Sequence, residues 1–318
     1  MKPDVSIVIP TYNRAAFIAE AIESCSAAGE ALQIQIIVVD DASTDNSETI
    51  IKQYPVTYLR LAKNSGRCTA RNAGKQNCTG AYVKFLDSDD TLEPGSLRKE
   101  FELAQLQAAD MVISGWHVVE FEANGKEVIA QTFSPPLFDN HVDCVLAGKA
   151  VPTSSVLYRR SYIDDVDWVD VGPLDDWDYF IRAALKSGNI VSLPDAAYRW
   201  RQHSGDRASG KSMLVTANCF YRILDRLYEQ LNSSGQLTEP RKQRLAQYYY
   251  KELRVLFRYK PEMGKQVQEK IFSLDPSFVP RDEERSSIIR GLARVIPLHW
   301  LLVSYGMAKR TMDRLRNA

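Results

Sequence analysis

"AYVKFLDSDDTL" occupies residues 81–92. Five of the six residues before Asp87 are apolar or aromatic, and three carboxylates then fall within four positions. A short, near-continuous apolar run is the pattern of a strand buried on both faces of a sheet. Like charges this close repel one another unless a cation sits among them. The segment therefore reads as a buried strand that delivers an acidic cluster at its carboxyl end. The same construction occurs twice upstream. "VSIVI" (5–9) runs into Pro10, Thr11, Tyr12 and Asn13, and "IIVVD" (36–40) ends on Asp40 and Asp41.

Helical patterns separate these strands. Phe17, Ile18, Ala21, Ile22 and Cys25 recur at helical spacing, and "STDNSETIIKQY" (43–54) supplies capping residues and then a helix. "TYLRL" (57–61) reads as a strand and "GRCTARNAGKQN" (66–77) as a helix, while a helix over about 96–109 precedes the strand "MVISGW" (111–116). This alternation predicts an α/β fold with a mostly parallel, doubly wound sheet flanked by helices, whose ligands bind at the carboxyl ends of the strands. All three polar clusters then face one crevice. "HVVEFEANGKEVIAQTF" (117–133) predicts a hairpin turning at Asn124-Gly125. Beyond about residue 211 the pattern is helical, with four helices to the end, which divides the chain into regions 1–210 and 211–318.

Composition narrows the setting. The 318 residues carry zero formal net charge, so nothing global favours nucleic acid as a partner, and 45% hydrophobic with 25% charged residues suits a soluble globular protein. Cysteines 25, 68, 78, 144 and 219 lack CxxC spacing and are odd in number, which predicts reduced thiols in a cytoplasmic protein. "VSIVI", stopped by Pro10, is too short for the apolar core of a signal peptide. No uncharged stretch reaches the roughly 20 residues that span a bilayer.

The acidic cluster admits three readings. It can be an acidic turn capping the helix that starts near Pro94. "FLDSDDTL" also matches the nucleophile motif of haloacid dehalogenase-like phosphatases, in which Asp87 would attack phosphorus and Asp89 serve as general acid. Third, hard oxygen ligands can hold Mg²⁺ or Mn²⁺ against a diphosphate. "VSIVIPTYNRAAFIAEAIES", "IIVVDDASTDNS", "NSGRCTARNAG" and "GAYVKFLDSDD", in this order and spacing, resemble the family 2 glycosyltransferases of GT-A fold over about residues 4–209.

That resemblance implies roles residue by residue. Pro10, Thr11 and Tyr12 would border the nucleotide, Asp41 with Asp40 beside it would read the base edge, and Arg71 would sit near the base or diphosphate. Asp87 would contact the ribose, with Ser88 beside it in the nucleotide-sugar site. Asp89 would hold the metal, with Asp90 as an alternative ligand. The family's Glu-Asp-aromatic motif falls on Asp175-Asp176-Trp177 in "GPLDDWDYFIRAALKSG" (172–188), making Asp176 the general base and Asp175 its support, although this chain has Asp where Glu is usual. Read alone, those two acids could equally cap a helix. "LPDAAYRWRQHSGDRAS" (193–209) resembles a segment whose histidine, here His203, can complete the metal site, and imidazole among oxygen ligands favours Mn²⁺ over Mg²⁺.

Residues 286–318 contain six Lys/Arg and one acid around "VIPLHWLLV". Such a helix could lie on an anionic membrane, or pack on the protein or on a second copy in a homodimer. Together these readings predict a metal-dependent, inverting glycosyltransferase. It would move a sugar from a UDP-, GDP- or dTDP-linked donor to a hydroxyl of a glycan or lipid-linked acceptor, in surface polysaccharide or glycolipid assembly. It would be cytoplasmic, or peripheral on the inner face of the membrane. The alternatives are a non-catalytic sugar-nucleotide or glycan-binding protein of the same fold, and the phosphatase using Asp87.

Overall fold

The computed structural model describes residues 2–122, 125–135, 141–146, 151–186, 188–203 and 213–279. The basic segment 286–318, Asn124 of the hairpin turn and the 204–209 end of the histidine segment lie outside the described residues. The chain divides into two compact units, Met1–Val171 with Asp175–Asp206 and Gly172–Leu174 with Arg207–Ala318.

In the first unit β1 (Val5–Thr11), α1 (Ile18–Ala28), β2 (Ile34–Asp40), α2 (Ser47–Ile51), β3 (Thr57–Arg60), α3 (Arg67–Gln76) and β4 (Tyr82–Phe85) follow the predicted alternation. All seven residues of β1 are buried, as its unbroken apolar run requires. β1 pairs in parallel with both β2 and β4, placing Val8 opposite Ile37 and Phe85, and Thr11 opposite Asp40. The chain lays β2 and β3 on one side of β1 and then returns to place β4 on the other. That reversal opens a crevice at the carboxyl ends of β1 and β4, the usual ligand position in such sheets.

The sheet continues through β5 (Thr91–Leu92), α4 (Ser96–Leu106), β6 (Met111–Phe121), β7 (Glu127–Phe133), α5 (His141–Leu146), a 3₁₀ turn (Thr153–Ser155), β8 (Val156–Arg159), α6 (Arg160–Ile163), α7 (Asp175–Ala184) and β9 (Ile190–Gln202). Strand order is β3-β2-β1-β4-β8-β6-β9-β5, with β7 on β6 as the predicted hairpin. Here the structure departs from a simple parallel series. β8 lies between β4 and β6 and is antiparallel to both. Its four residues, "VLYR", are too short to show a period. β9 runs parallel to β6 over most of its length, with a register shift at Gly115, where an added Cβ would meet the Phe133 carbonyl.

One glycine fixes how α3 sits on the sheet. A Cβ at Gly74 would collide with Val8 Cγ1 and stand 3.2 Å from Val39 Cγ2. Gly74→Ala should therefore cost about 1–3 kcal/mol through overpacking against β1 and β2. Urea unfolding measures it, and an unchanged midpoint would refute the close approach.

In the second unit α8 (Met213–Ser233), α9 (Glu239–Tyr259) and α10 (Pro261–Leu274) bury stripes at helical spacing: Ile223, Leu224, Leu227 and Leu231 on α8, Leu245, Tyr249, Leu253 and Leu256 on α9, and Val267, Ile271 and Leu274 on α10. Among the described residues no helix is long and apolar enough to cross a membrane.

Candidate active site

The three carboxylates after β4 turn out to be unequal. Asp87 Oδ1 accepts a hydrogen bond from Arg71 Nη2 at 2.6 Å, so a buried guanidinium supplies the cation the cluster needs. Asp89 Oδ2 lies 3.1 Å from His203 Nε2 and 3.5 Å from Arg14 Nε. Asp90 is buried and accepts the Arg201 amide at 2.9 Å. Burial first, then the charges of Asp87 and Asp89, push its carboxyl well up. Arg201 also donates from Nε to the Asp89 carbonyl at 2.6 Å and pairs with Glu20, tying the acidic turn to β9.

Asp89 and His203 offer one carboxylate oxygen and one imidazole nitrogen side by side, a donor set that suits Mn²⁺. Among the described residues no group of three His, Cys, Asp or Glu could hold a metal by itself. The pair therefore fits an ion whose remaining positions are filled from a ligand such as a diphosphate, or by water.

The loops after β1 and β2 are stitched together. Asn13 N donates to Ser43 Oγ at 2.9 Å, Arg14 N to Ser47 Oγ at 3.0 Å, and Thr44 N to Asn13 Oδ1 at 2.8 Å. Pro10 and Thr11 are buried within β1, and Thr11 Oγ1 has no hydrogen-bond partner. Tyr12 is 41% exposed at the rim. Asp40 is wholly buried, and its oxygens accept from Ser43 N (2.8 Å), Tyr58 Oη (2.7 Å) and Arg60 Nη1 (2.5 Å). With no exposed surface, Asp40 braces this loop. Asp41 takes the amides of Ser65 at 2.7 Å and Gly66 at 2.8 Å. Gly66 has φ +87° and ψ 156°, a conformation that only glycine adopts readily, and it starts α3. Ser88 is buried in the turn between Asp87 and Asp89.

α7 places Asp175 and Asp176 in its first turn, where the helix dipole favours carboxylates. Asp175 is 2% exposed and its oxygens are fully engaged. Arg67 grips it at two points, Nε to Oδ2 at 2.5 Å and Nη2 to Oδ1 at 2.6 Å. Cys68 Sγ donates to Oδ2 at 2.9 Å, and Arg71 Nη1 is 3.6 Å from the same oxygen. Burial alone would raise this carboxyl, but the Arg67 hydrogen bonds and the charges of Arg71 and Arg67 outweigh it and hold Asp175 below its ordinary value. Asp176 is half-buried and accepts the Trp177 amide at 2.8 Å. Burial, then the Asp175 charge, raise its pKa to about 6. One acid of the pair is thus fixed as an anion and its neighbour is poised to exchange a proton near neutral pH.

Arg14, Arg67, Cys68 and Arg201 were not among the sequence candidates. Arg67 and Arg71 stand one turn apart on α3, a spacing that places them on one face and could have signalled a shared target. Arg71 also stacks on Trp168, with its guanidinium carbon 4.3 Å from the ring centre, and Trp168 stacks on Tyr179 at 4.0 Å.

An acidic strand end at the sheet's switch point, joined through Arg71 to a split acid pair, defines a GT-A type transferase, and the comparisons agree. The structure of S. aureus TarS 1-349 in complex with UDP-GlcNAc superposes with a TM-score of 0.61 over 86% of this chain and 79% of that chain, at 21% identity, which establishes the fold. The family model "Glycosyl transferase family 2" matches residues 6–166. The "Uncharacterized glycosyltransferase YwdF" of Bacillus subtilis (strain 168) is 34% identical over 200 residues, covering 61% of this chain and 72% of that protein. The "Putative teichuronic acid biosynthesis glycosyltransferase TuaG" of the same organism is 32% identical over 233 residues, covering 71% of this chain and 90% of TuaG. The chain belongs to glycosyltransferase family 2 and is a transferase. The phosphatase and binding-only readings give way to that assignment.

Proposed function

We propose that the chain is a metal-dependent, inverting glycosyltransferase that uses a nucleotide-sugar donor, with Asp176 as general base. The observation that carries this reading is the split acid pair, with Asp175 locked by Arg67, Asp176 poised at about 6, and Arg71 reaching both Asp175 and Asp87. Asp176 takes the proton of the acceptor hydroxyl. The freed oxygen attacks the anomeric carbon from the face opposite the nucleotide, the bond from that carbon to the diphosphate oxygen breaks, and configuration inverts. Asp89 and His203 would hold a divalent ion, which supplies positive charge to the leaving diphosphate when bound. Arg71 holds Asp87 toward the donor, while Thr11 and Tyr12 line its nucleotide side and Asp41 shapes the loop that closes it.

The description of TuaG as a "Putative teichuronic acid biosynthesis glycosyltransferase", and the UDP-GlcNAc in TarS, support a sugar-nucleotide donor and a cell-surface polymer or glycolipid acceptor for this chain as well. Cys25, Cys68, Cys78 and Cys219 are all buried free thiols, which supports action on the cytoplasmic side.

Thermal-shift measurements with UDP-GlcNAc, UDP-glucose, GDP-mannose and a dTDP-sugar, each with and without Mn²⁺, test the donor class, because a ligand of the native state raises Tm. At least one donor should stabilise the chain and do so more with Mn²⁺. Asp89→Ala should abolish the Mn²⁺-dependent increment, since His203 alone would then be left to hold the ion. Unchanged affinity and metal dependence in that variant would remove the metal assignment.

A further inference from the structure

We propose that Arg67 is a positioning residue for the transfer step: its two-point grip turns Asp175 into the protein, leaving Asp176 as the one acid of the pair able to take the acceptor's proton. The proposal rests on Asp176 being the general base.

Two adjacent aspartates at the start of α7 are chemically alike, and a helix N-terminus treats both in the same way. What separates them comes from α3. Arg67 meets Asp175 in the planar, bidentate geometry that a guanidinium forms with a carboxylate and an ammonium cannot copy. The Cys68 thiol, pushed up by burial and then by the Asp175 charge, stays protonated and donates to the same carboxylate. The Asp176 amide donates to Asp175 Oδ1 at 2.9 Å, so the grip also fixes the backbone from which Asp176 projects.

The groups facing Asp176 are Asp175 on its own helix, Arg71 and Arg67 on α3, Asp87 after β4 and Tyr198 on β9. Asp175, held as an anion, is the nearer source of the repulsion that keeps a proton on Asp176 at mildly acidic pH. Arg67 opposes it as a cation. Removing Arg67 and removing the charge of Asp175 should therefore move the Asp176 titration in opposite directions. The titration reports the coupling, and turnover at unchanged nucleotide Kd separates a positioning residue from a merely structural ion pair.

The test uses the full chain labelled with ¹³C at aspartate carboxyls, the Asp176 resonance being assigned by its loss in Asp176→Asn. The wild-type midpoint should lie at about 6. Arg67→Gln should raise it, Asp175→Asn should lower it toward the ordinary 3.8, and Arg67→Lys should fall between wild type and Arg67→Gln. UDP release from UDP-GlcNAc and GDP release from GDP-mannose, with Mn²⁺, give the second readout. Arg67→Gln should reduce turnover roughly ten- to a hundredfold, the scale of a misplaced reacting group, with nucleotide Kd unchanged. Should Arg67→Gln fail to fold, Arg67→Lys and Asp175→Asn still report the opposed shifts. An Asp176 titration indifferent to Arg67, beside an inactive Asp176→Asn, would overturn the proposal alone. Normal turnover in Asp176→Asn would overturn the base reading and the proposal with it.

Discussion

Asp176→Asn is expected to lower sugar transfer by roughly 10²–10⁴-fold, the usual worth of general-base catalysis, and to leave donor Kd unchanged. Asparagine keeps the size of the side chain and its acceptor for the Trp177 amide but has no site for the acceptor's proton. Turnover in the wild-type protein should fall as pH drops through about 6, where the carboxylate is lost. The stability consequence has the opposite sense to that of a paired acid. A carboxyl whose pKa is raised by folding binds more protons in the native state than in the unfolded chain between about 4 and 6, so wild-type stability contributed here grows as pH falls through that window. At pH 7.5 Asp176→Asn should therefore melt no lower than wild type. Asp175→Asn should behave otherwise, because folding lowers that acid's pKa: it should lose stability at neutral pH, an effect that fades under acid, and it should cost less turnover. If both acids only cap α7, both variants lose about 0.5–2 kcal/mol and keep their turnover. Turnover, donor Kd and Tm of the two variants decide between these outcomes.

The second large effect is on stability. Lys84 and Glu100 are each 0% exposed, with Lys84 Nζ 2.8 Å from both Glu100 oxygens and Ser114 Oγ donating to Oε1 at 2.6 Å. The trio joins β4, α4 and β6 beneath the strand that carries Asp87. Lys84→Met leaves a buried carboxylate without its cation and should cost about 3–5 kcal/mol. Lys84→Met combined with Glu100→Leu should recover most of that loss, falling short by about 1 kcal/mol because Ser114 Oγ loses its acceptor. Urea unfolding of the single and double variants measures both. A loss below about 1 kcal/mol in Lys84→Met would show that the ammonium is not held where it lies.

Lys84 also shows how far the sequence could be read. A lysine within "AYVKFL" marks a strand needing a buried partner, since an unpaired charge there is prohibitive. Nothing nearby says that the partner is Glu100, because it lies 16 positions on, beyond the acidic turn and β5 and within α4. The short strand β8 shows the same limit from the side of pattern. Four residues carry no readable period, so its place between β4 and β6 follows from pairing alone. Asp40 and Asp41 look interchangeable in "VVDDAS", yet one is wholly buried among Ser43, Tyr58 and Arg60 while the other holds two backbone amides.

What the sequence determined by itself was the alternation of strands and helices through β4, the three polar strand ends, the helix carrying the acid pair and the family that these motifs resemble. Those features depend on the periodicity and spacing of near neighbours, which burial imposes locally. What only the tertiary structure decided was the division of labour among chemically identical carboxylates. Asp87 pairs with Arg71, Asp89 stands by His203, Asp90 is buried under Arg201, and Asp175 is gripped by an arginine 108 residues away while Asp176 is left to titrate. An aspartate's pKa and ligand capacity are set by the charges, donors and water within a few ångströms, and folding assembles those from distant parts of the chain.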